Sequence, residues 1–258
     1  MYSPNRPNTA DDDERVAGLK SFFIEELQRL SLWLSGLPLD ETRLAAWMAR
    51  SNRIIHKTRQ ILRLRLRNPL YIRSLATTFL LGGRESYYGR PDQYEAVLDA
   101  LIEELEASLA APIPHDKVVR LAWAGWADAA RSSASTGPSM SQVAPSPVGT
   151  AGDWTRDYRE DLPPLDAYAD YIITARTFGS PVRTRKRIDE YLPEFGAKEN
   201  LFHGYIGCSF ASVHREIQAE HFRRLGYPGI FLEGSFQIGP PTGQALTRVR
   251  AFLKMLSR

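Results

Sequence analysis

One cysteine, Cys208, stands in a chain of 258 residues, inside the stretch HGYIGCSFASVHREIQAEHFRRLGYPGIFLEG from His203 to Gly234. Its surroundings allow three chemistries. A thiolate within reach of an imidazole is a nucleophile, and His203, His214 and His221 lie near Cys208 in sequence, the last two spaced two turns apart along one helix face. A thiolate is also a soft metal ligand. A cysteine packed in apolar surroundings is inert. A self-contained cysteine-based zinc or iron–sulfur site needs about three or four protein ligands, so this chain cannot build one alone. One cysteine also excludes an internal disulfide framework. The five histidines form no H-x-x-x-H or H-E-x-x-H pair. There is no Gly-x-Ser-x-Gly elbow and no P-loop, and GTAGD is a glycine-rich string inside a loop with no helix after it.

The elements around Cys208 place it. GYIGC reads as a buried strand ending at the cysteine, SVHREIQAEHFRRLG as a helix closed by Gly226, and GIFLEG as a strand ending at Gly234. Upstream, DKVVRLAWAG reads as a strand ending at Gly125. Strands alternating with helices imply parallel βαβ units, and in an open parallel sheet ligands bind at the carboxyl ends of the strands. That puts Cys208 on the functional edge, with Ser209, Glu233 and Gly234 as substrate-binding candidates beside it. The start of the following helix favours the thiolate, which suits either a nucleophile or a ligand.

The rest of the chain is read as support. Residues 1–12 form a disordered lead-in. Residues 13–112 are helical: Asp11 to Asp13 open a helix carrying Val16, Leu19, Phe22, Phe23, Leu27, Leu30 and Leu34, closed by Gly36 and Pro38. Asp40 caps a second helix to about Arg67, with Leu44, Trp47, Met48, Ile54, Ile55, Ile61 and Leu62 apolar. A shorter helix runs up to Gly82-Gly83. Pro91-Asp92 starts a fourth, with Tyr94, Val97, Leu98, Leu101, Ile102 and Leu105 on one face. Residues 113–258 form an α/β domain interrupted by a Ser/Pro-rich loop at about 127–153. PLDAYADYIITARTF, RTRKRIDEYLPEF and TGQALTRVRAFLKML read as helices. The fold class is thus α/β: a helical N-terminal part, then a small flavodoxin-like parallel sheet of three or four strands flanked by helices.

Charge and hydropathy bound the partners. The net charge of +3 is too small to argue for nucleic acid. The basic run RSNRIIHKTRQILRLRLR reads as a solvated helix face with arginine stems over apolar surface. Its sharper readings are a phosphate-binding surface for coenzyme A or a contact for an acidic partner. No aromatic interleaving or recognised module points to nucleic acid. No apolar run reaches the ~20 residues of a membrane span. The polar start MYSPNRPNTADDDER has no apolar core of a secretory signal, so the expected location is the cytoplasm.

From Gly204 onward the chain resembles the 2-hydroxyacyl-CoA dehydratase family, which includes the benzoyl-CoA reductase subunits. Its members end with an apolar strand, a cysteine, a helix, a Gly-Ile-Pro-like turn, a strand closing in Leu-Glu-Gly, and a Gly-Gln element leading into a final helix. The counterparts here are GYIGC, GYPGIFLEG and TGQALTRVRAFLKML. Upstream, PLDETRLAAWMARSNRIIHKTRQILRLRLRNP, with Asn52 among nearby arginines, is similar to the family's helical linker. DYREDLPPLDAYADYII is similar to the segment before the last βα units.

The resemblance implies a subunit of a two-subunit complex acting reductively on an acyl-CoA, with electrons from an ATP-dependent iron–sulfur activator through a [4Fe–4S] cluster. Cys208 matches one of the three cluster cysteines. The other two belong to an N-terminal flavodoxin-like domain that has no counterpart here, and Ser235 stands where the family often has Asp. Two readings follow. In one, Cys208 completes a cluster whose remaining ligands come from a longer partner subunit. In the other, the cluster is lost and the chain is a non-catalytic structural partner.

Overall fold

The computed structural model describes residues 13–72, 74–84, 86–114, 121–125, 156–174, 199–205, 216, 219–234 and 243–256. Its elements are α1 (Asp13–Ser35), α2 (Glu41–Arg67), α3 (Ser74–Gly83), a 3-10 turn (Tyr87–Gly89), α4 (Pro91–Ser108), β1 (Leu121–Gly125), α5 (Pro164–Ile173), β2 (Glu199–Tyr205), β3 (Gly229–Gly234) and α6 (Gly243–Leu256). The chain divides into two compact units, one made of Met1–His56 and Gly152–Arg187, the other of Lys57–Ala151 and Ile188–Arg258. The expected lead-in at 1–12, the loop at about 127–153 and the helix at 183–195 lie outside the described residues.

In the first unit α1 packs on α5. Val16 and Phe23, two turns apart on α1, meet Ala169 and Ile173, one turn apart on α5. Phe22 and Leu34, expected on the same apolar face, are exposed. Phe22 sits about 100° round the helix from Phe23, so the two cannot both face α5. Leu34 lies near the end of a 23-residue helix whose partner has only 10 residues. Beside the interface Lys20 and Arg156 both bind the buried Asp170, Arg156 at 2.9 Å. Burial alone would raise the Asp170 carboxyl; the two cations outweigh it and hold the group below the usual carboxylate range.

The expected helix boundaries have visible causes. Gly36 ends α1 with φ 69°, and its N–H donates to Leu32 O at 2.9 Å. Asp40 Oδ1 accepts the Arg43 N–H at 3.0 Å, an N-cap to the third helical residue. In this unit Trp47 is exposed, not on the buried face with its neighbour Met48, and the Arg50 guanidinium lies 5.5 Å from its ring centroid.

In the second unit the rest of α2 runs beside α4 in the same direction. Lys57 Nζ reaches Glu95 at 3.0 Å and Asp99 at 2.8 Å, Gln60 reaches Glu106, and Asn68 reaches Ser108. Tyr94, Leu98, Ile102 and Leu105 form the buried stripe of α4 at helical spacing. Val97, expected on that stripe, is 55% exposed. The basic run is only partly a solvated face. Arg53, Arg63 and Arg67 are exposed, but Arg65 is buried and donates Nε–H to Ile72 O at 2.9 Å. Burial pushes its guanidinium down to about 10.

Between α3 and α4 the chain makes a left-handed turn. Tyr87, Tyr88 and Gly89 have φ of 51°, 49° and 71°. Each tyrosine held there costs on the order of 1–3 kcal/mol. The turn is closed by Gly89 N–H to Ser86 O at 2.8 Å and Arg90 N–H to Tyr87 O at 2.9 Å. Tyr88 Oη donates to Phe79 O at 2.7 Å, and Tyr94 Oη donates to Leu80 O. Both acceptors belong to the last turns of α3, so the phenols hold the rings against the end of that helix.

Three strands form a parallel sheet in the order β1-β2-β3. β2 is central, with Leu121 to Gly125 opposite Glu199 to His203 on one side and Asn200 to Tyr205 opposite Gly229 to Gly234 on the other. Of the expected strand GYIGC, Gly204 and Tyr205 lie in β2, which begins earlier, at Glu199, and Ile206 to Cys208 lie outside the described residues. Leu201, Phe202 and Tyr205 are the bulky strand formers of ENLFHGY.

Candidate functional site

The amino end of β3 is set by a chain reversal just before the strand, opposite the carboxyl edge that Gly234 closes. The helical residues 219–224 end in a Schellman motif. Gly226 N–H donates to Arg223 O at 3.2 Å and Tyr227 N–H to Phe222 O at 2.9 Å, with Gly226 at φ 81°. A Cβ at that φ is strained, so the position calls for glycine. Phe222 is fully buried beneath the turn, and Pro228 follows before β3 begins. α6 lies against β3, burying Val249 and Phe252.

The register sets the edge level. His203 stands opposite Gly125, Gly204 opposite Glu233, and Tyr205 opposite Gly234. Two of the four sequence candidates, Glu233 and Gly234, are therefore on the carboxyl edge, level with the last described residues before Cys208. Cys208 and Ser209 themselves, with His214, lie outside the described residues. Among the described residues no group of three or more His, Cys, Asp or Glu is arranged to hold a metal ion. The donor set agrees: one thiol in the whole chain does not hold an iron–sulfur cluster by itself.

The charged groups on the helical turn before Gly226 are matched to one another. Glu220 takes hydrogen bonds from Arg223 at 2.8 and 2.9 Å and from Arg224 at 2.7 Å, and these pull its carboxyl down to about 2. It is ionised at neutral pH and unsuited to act as a general acid. His221, one of the histidines near Cys208 in sequence, packs edge-on to Phe222 with ring centroids 5.4 Å apart.

The helices and the small parallel sheet among the described residues define an α/β protein. A family model described as 2-hydroxyglutaryl-CoA dehydratase, D-component, matches residues 5–256. The chain belongs to that family. No curated protein matches it. No helix among the described residues is long and apolar enough to cross a membrane.

Proposed function

We propose that the chain is a subunit of a 2-hydroxyacyl-CoA dehydratase-like or benzoyl-CoA reductase-like complex that acts reductively on an acyl-CoA or related activated acid. The family match over residues 5–256 is the observation that carries this reading. A parallel sheet of the kind a flavodoxin-like domain has supports it, with Glu233 and Gly234 on the edge where substrate would lie. One thiol does not hold a cluster, so the reading requires a longer partner chain that supplies the other thiolates, together with an ATP-dependent activator.

A second reading keeps the complex and removes the chemistry: the chain is a structural partner of a complete subunit. The single cysteine favours it. One experiment separates the two. The chain is produced without oxygen, alone and with a longer family subunit, and iron, sulfide and turnover of an acyl-CoA are measured for the native chain and Cys208→Ala. Catalytic participation predicts a stable complex whose turnover and iron both fall with Cys208→Ala. A complex indifferent to the substitution establishes the structural reading. A monomer that ignores every such partner overturns both.

A further inference from the structure

The second unit contains an open cavity of about 490 Å³ between the end of α3, the left-handed turn and the start of α4. That size is within the ~300–1,000 Å³ usual for small-molecule sites. Its walls are mostly apolar: Phe79 from α3, the rings of Tyr87 and Tyr88, and Tyr94 and Val97 from α4. Phe79, Tyr88 and Val97 are each more than half exposed, so the cavity presents large apolar groups to water. The Tyr88 and Tyr94 hydroxyls already donate to Phe79 O and Leu80 O, so these tyrosines offer ring faces and not proton donors. Two consecutive tyrosines at positive φ hold this shape, and such strain clusters at ligand clamps.

The charge on the lining is equally specific. Arg90 is its one charged residue, and Gln93 its other long polar side chain. Arg90 is exposed, and among the described residues its guanidinium has no hydrogen-bond or ion-pair partner. A planar guanidinium beside tilted and edge-on aromatic walls matches a flat apolar body ending in a carboxylate.

We propose that this cavity binds a small aromatic carboxylate, with the ring between Tyr88, Tyr94 and Val97 and the carboxylate on Arg90. The proposal stands apart from the proposed function: it uses neither Cys208 nor a partner chain. Calorimetric titration of the full chain with 2-naphthoate and with neutral 2-naphthamide tests it. Saturable one-site binding of naphthoate is expected, with the amide about tenfold weaker, the usual scale for one charge-assisted contact. Arg90→Gln should lower naphthoate affinity about tenfold and leave the amide unchanged. Val97→Asp, on an exposed position the fold tolerates, should weaken both. Equal affinity for acid and amide, an acid affinity untouched by Arg90→Gln, or no saturable binding at all would overturn the proposal.

Discussion

The Asn52 side chain closes on the Tyr158 backbone in both directions. Its Nδ2 donates to Tyr158 O at 2.9 Å, and its Oδ1 accepts the Tyr158 N–H at 2.8 Å. A third bond runs from Nδ2 to Glu160 Oε1 at 2.9 Å. One amide thus does for the segment before α5 what a neighbouring strand would do. Only Asn and Gln carry a donor and an acceptor side by side, and Asn52 is buried in α2. Asn52→Ala should destabilise the fold by roughly 3 kcal/mol, because it leaves a buried N–H and C=O unpaired. Asn52→Asp keeps the acceptor and sets a carboxylate against Tyr158 O and Glu160, so it should be no better. Urea unfolding of the two variants checks both outcomes.

Asp170 gives a pH dependence with a definite sign. Its folded carboxyl is held below its ordinary value of 3.8, so the unfolded chain binds the proton more readily. The stability it contributes is fully present above that unfolded value and is lost as pH falls through the lower folded one. Unfolding midpoints taken from about pH 6 down to about pH 2 should fall with acid. Asp170→Asn should lower the stability at neutral pH by roughly 3 kcal/mol, leaving Lys20 and Arg156 facing a neutral group. It should also flatten part of the acid slope. A slope identical to that of the native chain would show that Asp170 is not its source.

Gly82 and Gly83, adjacent at the end of α3, should respond to alanine with opposite signs. A Cβ on Gly83 would come within 2.5 Å of the Tyr88 ring and 2.7 Å of the Tyr94 ring. Both rings are anchored by their hydroxyls and cannot simply step aside, so Gly83→Ala should cost about 1–3 kcal/mol. A Cβ on Gly82 meets nothing within 4 Å. Gly82→Ala should therefore gain about 0.5 kcal/mol, from the lower entropy of the unfolded chain. Thermal midpoints of the two single variants compare them directly, and near-ultraviolet circular dichroism should change for Gly83→Ala alone.

Gly226→Ala tests the turn that launches β3. A left-handed residue other than glycine costs roughly 1–2 kcal/mol, so the variant should lose about that much stability. Gly226→Asn should lose less, since asparagine tolerates this conformation better. Equal stability of the alanine variant would mean that the turn relaxes to another closure.

Helix ends were legible because their causes act within a few residues. Asp40 caps by its own carboxylate, Gly36 and Gly226 supply left-handed φ, and Pro91 fits a first turn. β1 and β3 are likewise seen where the apolar runs before Gly125 and Gly234 placed them. The start of β2 was not legible. The apolar run of GYIGC gives no sign that the strand begins at Glu199; pairing to β1 and β3 shows it. The aromatic cavity was also missed, although the Tyr87-Tyr88-Gly89 run after a double glycine is a local signal of an unusual turn.

Family membership is likewise a property of the sequence, the family model matching residues 5–256. Whether a residue faces inward was decided only by the tertiary structure. Phe23 is buried and Phe22 exposed, Leu98 is buried and Val97 opens onto a cavity, and Arg65 turns inward from a run of solvated arginines. The pairs Asn52–Tyr158 and Lys20–Asp170 join residues 106 and 150 positions apart. Capping, periodicity and turn chemistry act over a few residues along the backbone. Burial and long-range pairing depend on which surfaces approach after the elements form, and elements of unequal length, such as α1 and α5, leave part of a periodic apolar face uncovered.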